Sequence, residues 1–257
     1  MNDQVLQILS LGLMSLVAAA SGLIGVFALT RRMTLAADAI SHIALPGIGI
    51  ALLLKIDPVI GAAVMLVAGA FVVWALEKKT KISTEAVIGI LFTASLAIGS
   101  IIIPVEEDLL DALFGEAAIF NSLELALGIP LAIIIIFLVL KYKDKFTLSF
   151  ISPDIARTSG LSVSKLDLLY LLLFVGTIVL GLKFLGALLM GSLIIVPAAV
   201  SRNIARSFSS DLLISLLVAV FSAFVGFVVA AHYGIATGPA IIMVAAGLFF
   251  VSVFFSE

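Results

Sequence analysis

Nine apolar runs of roughly bilayer length follow one another along this chain and leave little room for any other kind of fold. They lie at Val5–Leu29, Met33–Leu54, Val59–Leu76, Thr84–Ile103, Leu123–Leu140, Leu166–Leu182, Gly186–Val200, Ser209–Ala231 and Pro239–Phe255. A helix needs about 17–25 apolar residues to cross the hydrocarbon core. Strand-like alternation is absent, so the spans are helices rather than barrel strands. Only 12% of the 257 residues are charged, against about a quarter in a soluble domain. The expected fold class is all-α: a polytopic membrane helix bundle of nine transmembrane helices, or eight if one span is re-entrant, forming one transmembrane domain over 1–257. Its expected location is the cell (inner or plasma) membrane.

Two local features refine that count. Met1–Gln4 carries no basic residue, and the run behind it is too long for a cleaved signal, so the first run is expected to be a span. The sixth and seventh runs are separated only by Lys183–Leu185 and together cover 35 residues. That is too long for one helix across a core of roughly 30 Å, so a tight hairpin is expected there.

Charge orients the bundle. With nine spans, one side receives Arg31, Arg32, Lys78, Lys79, Lys81, Lys141, Lys143, Lys145, Arg157, Lys165, Arg202 and Arg206, which is 12 of the 14 basic residues. Lys55 and Lys183 alone fall on the other. The positive-inside rule then places the N-terminus outside and the C-terminus in the cytoplasm. The net charge of −2 gives no sign of a nucleic-acid partner, and the lack of cysteine excludes disulfides and thiolate metal sites.

Two connections are long. The outer one, about 104–122, holds Glu106, Glu107, Asp108, Asp111 and Glu116 without a basic residue, and Leu109–Phe114 has the pattern of a short surface helix. It reads equally as a solvated acidic loop and as a docking surface. The inner one, about 141–165, contains Ser152, Pro153, Asp154, Ile155, Ala156, Arg157 and Gly160. Ser is a good N-cap, Pro suits the first helical position, and Asp favours the positive end of the dipole. Gly160 suits the left-handed position beyond a helix end. A two-turn helix over Ser152–Ser159 is predicted, too short to stand alone and so packed on its own bundle or on another protein.

Within the spans, small residues are dense: Ala18 to Gly22, Gly47, Gly49, Gly61 to Ala63, Gly186, Ala187, Gly191 and Ser192. They permit close helix approach in lipid. Pro46 and Pro197 are each expected to kink or break a helix.

Chemistry concentrates at Asp38 and His42. Four residues apart, they share one face of a helix. Ionisable groups at membrane depth are costly and mark function by default. Asp38 lies about 7–8 Å in from Met33 at 1.5 Å per residue, so Arg31 or Arg32 could neutralise it as a purely structural pair. His42 lies roughly 14 Å in, near the midplane, with no such local partner. Imidazole with carboxylate suits zinc, manganese or ferrous iron without selecting among them. Two ligands are fewer than the four zinc prefers, and a second copy of the chain could supply the rest by symmetry. His232 ends the eighth span, where an interfacial imidazole needs no metal. Glu85 begins the fourth span, where a helix N-terminal charge is the simpler account. Both remain metal-ligand candidates, while Asp211 is expected to cap its helix.

Several motifs together resemble the permease subunit of the metal-ion class of ATP-binding-cassette importers. Ala37-Asp38-Ala39-Ile40-Ser41-His42-Ile43-Ala44-Leu45-Pro46-Gly47 looks like that family's intramembrane motif. Glu85 to Phe92, Leu113-Phe114-Gly115, Ser149 to Arg157 with Gly160-Leu161, Gly186 to Leu189, Ile194 to Ala199 and Thr237-Gly238-Pro239 follow in order over nearly the whole chain. Ile151 stands where the family usually has an Asp. Gly234 stands where many members carry an acidic residue; if that residue holds metal in relatives, this chain must do without it or use His232 nearby. The resemblance implies a permease, not an enzyme, that moves zinc or manganese inward and holds no resident cofactor. It implies a second permease chain as partner in a homodimer, a cytoplasmic ATPase docked on the Ser152–Ser159 helix, and an extracytoplasmic metal-binding protein. No G-x-x-x-x-G-K-[ST] loop occurs here, so the ATPase is expected on another polypeptide. The alternative class is a secondary transporter or channel using Asp38 and His42 as a relay. A membrane enzyme fits less well, because H-E-x-x-H is absent and the two histidines stand 190 positions apart.

Overall fold

The computed structural model describes residues 3–80, 82–103 and 120–255. Nearly all of the acidic connection, including Leu109–Phe114, therefore lies outside the described residues. Every element among the described residues is helical. The order is α1 (Asp3–Thr30), α2 (Thr34–His42), α3 (Ala44–Leu54), α4 (Pro58–Lys79), α5 (Thr84–Ile102), α6 (Ser122–Ile151), α7 (Pro153–Thr158), α8 (Val163–Ile204), α9 (Phe208–Tyr233) and α10 (Thr237–Val253). Seven segments are long and apolar enough to cross a membrane, α2 and α3 counting as one and the first part of α8 as another. Leu189–Ile204 and Thr237–Val253 are apolar but shorter. The chain is a multi-pass membrane helix bundle.

The central post is α1, which packs on α8, α9 and α6. Its small residues explain why. Gly22 meets the backbone of Ser215, whose hydroxyl donates to the Gly22 carbonyl at 2.7 Å, and Gly25 meets the Ile194 carbonyl. A side chain at either glycine would drive backbone from backbone, so the stripe serves close packing in lipid. Gly47 and Gly61 bring α3 against α4 in the same way. At one end of α1, Phe27, Phe146, Phe150 and Tyr170 form an aromatic cluster, edge-to-face except for the stacked Phe146 and Phe150, and the buried Tyr170 hydroxyl donates to the Ile24 carbonyl at 3.2 Å.

The helix ends follow the capping chemistry of the sequence. Asp57 accepts from the Val59 amide with Pro58 at the first helical position, and Ser83 accepts from the Ala86 amide. Asn121 with Glu124, and Ser207 with Ser210, form reciprocal capping boxes. Asp211 does more than sit at a helix start. It is buried, accepts a short bond from the Ser201 hydroxyl, and faces Arg202 at 3.4 Å, tying α9 to the end of α8.

The two expected proline interruptions part ways. Pro46 has no amide to offer the His42 carbonyl, and its ring crowds that carbonyl. The helix accordingly stops at His42, turns through Ile43, and restarts as α3. Pro197 instead lies within unbroken helical backbone; the interruption in α8 is at Gly186, with φ 69° and ψ 173°. That backbone region belongs almost exclusively to glycine. Beyond it the Met190 side chain lies against Gly181, although residues nine apart on a straight helix stand about 13 Å apart. The chain thus turns sharply one residue past the 183–185 stretch.

Candidate functional site

The α2 helix holds Asp38 and His42 by its opposite flank. Ala36, Ala37, Ile40 and Ser41 are buried against the bundle, chiefly against α8 and α5. Just beyond the Gly186 turn, the Ser41 hydroxyl lies 2.6 Å from the Ala187 carbonyl and 2.7 Å from the Asp38 carbonyl, within donating distance of both. One turn further along α8, Gly191 admits the α2 backbone so closely that an added Cβ would stand 2.6 Å from the Asp38 Cα. Two elements of α8 therefore fix the height and depth of α2 at Asp38 and His42. Sequence reading found the small residues but not which helix they receive.

Although Asp38 and His42 are one turn apart, their surroundings differ. Asp38 is exposed, beside Leu35 at 73% exposure, on a flank that no other described residue buries. His42 is only 5% exposed, its ring 5.3 Å from the Phe92 ring of α5 and its Nδ1 buried without a hydrogen-bond partner. An orphaned imidazole nitrogen at membrane depth costs free energy unless something completes it. One chain supplies a carboxylate and an imidazole with free coordinating capacity, and no described group of three or more His, Asp or Glu is arranged to close around a metal.

The other two ligand candidates stand apart from this pair. His232 is exposed on the last turn of α9, its ring 4.9 Å from that of Tyr233. Gly234 closes α9 at φ 66°, in the left-handed region that favours glycine, so its departure from an acidic residue has a backbone reason. Glu85 is exposed in the first turn of α5. It shares a face with Phe92 but lies seven residues, about 10 Å, further down the helix.

Arg31 does not neutralise Asp38. Its guanidinium turns into the bundle, 3.4 Å from Glu77 and 3.5 Å from Asp167, and lies over the Phe150 ring at 4.7 Å. Glu77, Asp167 and Phe150 were not distinguishable in the sequence, because each belongs to a different helix and only the fold assembles them.

Next to that cluster sits α7, the helix foreseen between Ser152 and Ser159. The Gly160 amide donates to the Arg157 carbonyl and the Leu161 amide to the Ala156 carbonyl, with Gly160 at φ 80°. This is a Schellman closure, as the glycine predicts. Ser152 occupies the N-cap position without a side-chain cap bond, and Pro153 begins the helix. Ala156 is buried against the bundle, while Ile155 is 57% exposed and Asp154 pairs with Arg157 at 2.8 Å on the surface. The outward face is therefore Asp154, Ile155 and Arg157, and Ala156 is the anchor.

Residues 4–256 match the profile of the ABC 3 transport family. The chain belongs to that family. It is 32% identical over 240 residues to the high-affinity zinc uptake system membrane protein ZnuB of Haemophilus influenzae, covering 91% of each chain. It is 32% identical over 239 residues to the manganese transport system membrane protein MntC of Listeria monocytogenes, covering 92% of this chain and 85% of that one. Among solved structures, PsaBC from Streptococcus pneumoniae in complex with Fab superposes with a TM-score of 0.82 at 26% identity, covering 95% of this chain and 89% of that one.

Proposed function

We propose that Asp38 and His42 form the intramembrane contact for a divalent transition metal, zinc or manganese. The chain is the membrane permease subunit of an ATP-binding-cassette importer whose ATPase is a separate polypeptide. The observation that carries the site assignment is the pairing of an exposed carboxylate of α2 with a buried imidazole whose Nδ1 has no partner among the described residues. A second copy of this chain against that flank would bring two such pairs together and raise the ligand count to four, which suits zinc. Carboxylate and imidazole are borderline-to-hard donors that hold zinc and manganese alike. Such a site must bind weakly enough to release the ion inward.

In this reading the chain crosses the membrane nine times, with the N-terminus outside and the C-terminus in the cytoplasm. The short apolar segments Leu189–Ile204 and Thr237–Val253 complete the count. The partition of basic residues supports that orientation, and it puts α7 on the cytoplasmic side as the docking helix for the ATPase. An extracytoplasmic metal-binding protein delivers the ion. Gly234 and His232 lie at the outer end of α9 in this orientation.

The test is uptake of zinc and of manganese by proteoliposomes holding the permease and its ATPase. Asp38→Asn and His42→Ala should each abolish uptake while leaving insertion and ATPase binding intact. Normal uptake by both variants would show the pair to be structural. Cysteines placed at Asp3 and Lys143 should react from opposite faces of the membrane, and labelling from one face would overturn the orientation.

A further inference from the structure

Arg31 is a largely buried charge that the metal contact does not use. Its side chain is 11% exposed, wedged where α1 ends. Three other helices meet it. Glu77 of α4 lies 3.4 Å from Nη2 and Asp167 of α8 lies 3.5 Å from Nη1. Phe150 of α6 lies beneath the guanidinium at 4.7 Å, and Tyr170 of α8 at 5.8 Å. Glu77 in turn accepts from the Thr84 hydroxyl at the start of α5, at 2.8 Å.

Three features of this arrangement point to movement rather than to a fixed clamp. Both ion pairs are longer than the ~2.7–2.9 Å of a settled charge-assisted hydrogen bond, and Nη1 is buried without a hydrogen-bond partner. One guanidinium is thus shared between two carboxylates on different helices and fully committed to neither. Its face rests on Phe150, two residues before Ser152, where the chain turns into α7. Its backbone is separated from α2 only by Arg32, in the left-handed region at φ 59°, and Met33. The guanidinium therefore stands between the helix that faces the partner and the helix that carries Asp38 and His42.

We propose that Arg31 is a positioning residue that transmits displacement of α7 to α2. When α7 is pushed, Phe150 moves with it, and the guanidinium riding on that ring shifts from its shared position toward one carboxylate. The start of α2 follows across a two-residue link. The two carboxylates supply the two discrete arrangements that such coupling requires. Arginine is needed for this rather than lysine, because stacking on a ring while reaching two acids uses a flat, forked cation. The inference rests on reading α7 as the ATPase contact.

The experiment uses the full complex of permease and ATPase in proteoliposomes and measures zinc or manganese uptake per ATP hydrolysed. Arg31→Lys and Phe150→Leu should each insert, bind the ATPase and hydrolyse ATP. Uptake per ATP should fall by about tenfold or more, the scale on which a ~1 Å misplacement acts. The double variant should be no worse than either single one, since both remove the same link. Metal binding measured without ATP should be unchanged in these variants and lost in Asp38→Asn, which separates failure of this inference from failure of the metal-site assignment. If Arg31→Lys does not insert, Phe150→Leu carries the same test. An unchanged ratio of uptake to hydrolysis, or losses that multiply in the double variant, would overturn the proposal.

Discussion

Gly191→Ala tests whether the position of α2 against α8 controls transport. The added Cβ would stand 2.6 Å from the Asp38 Cα and 2.8 Å from its backbone nitrogen, whereas ordinary contact begins near 3.4 Å. The atoms it meets are backbone, so no side-chain rotation relieves the clash, and α2 must retreat locally by roughly 1 Å to restore normal separation. Overpacking of this kind costs about 1–3 kcal/mol of stability, and a reacting or binding group displaced by ~1 Å can lose on the order of 100-fold in rate. We expect Gly191→Ala to insert with a modestly lower unfolding temperature in detergent and to lose ten- to a hundred-fold in uptake, on that same scale. The retreat strains the Ser41 bond to Ala187 and shifts Asp38 and His42 together, so affinity for zinc and manganese should fall alike. Gly247→Ala is the control, because nothing lies within 4 Å of a Cβ there; it should transport normally. If Gly191→Ala transports metal as well as the parent at equal membrane content, the close crossing of α2 and α8 does not set the site geometry.

Three further outcomes follow from separate features. Ile155→Glu should weaken ATPase binding at least several-fold in a pull-down while leaving the permease folded, because the side chain faces outward; Ala156→Glu should instead lower expression, because it buries a charge against the bundle. Gly186→Ala should cost about 1–3 kcal/mol, since φ 69° with ψ 173° is closed to residues with a Cβ; thermal unfolding of the purified chain reads this directly. Metal binding through His42 requires the neutral imidazole, so uptake should be full at high pH and fall as protonation removes the lone pair, across roughly pH 8 to 5; a flat uptake profile there, with ATP hydrolysis constant, would refute ligation by His42.

Much of the architecture was readable because lipid allows few solutions. Long apolar runs located the apolar helices, and the Gly160 signal placed the end of α7 closely. Pro46 marked the stop after His42. Pro197 did not break its helix, and a glycine rather than a proline provided the turn in α8. The pair at Asp38 and His42 was legible from spacing, yet its unequal burial was not. Periodicity assigns both residues to one face, whereas Phe92 arrives from another helix to cover only one of them. The Arg31 cluster escaped for the same reason: Glu77 sits in sequence beside Lys78 and Lys79 and reads as one more surface charge, and nothing local tells it from a solvated one.

Ser41 has a consequence for how easily the membrane site can open. Its hydroxyl proton lies between two carbonyls, one on its own helix and one across the contact with α8. If α2 slides away from Ala187, the proton falls back wholly to the Asp38 carbonyl, and no donor is stranded in an apolar interior. The polar part of the cost of parting the helices is therefore one net hydrogen bond, about 1 kcal/mol, rather than the several that an abandoned polar group would demand. A residue that fastens two helices in one state thus adds little to the cost of their separation beyond the packing they lose. Replacing it with alanine would remove the fastening, and replacing it with a side chain that could bond only across the gap would turn a sliding contact into a lock.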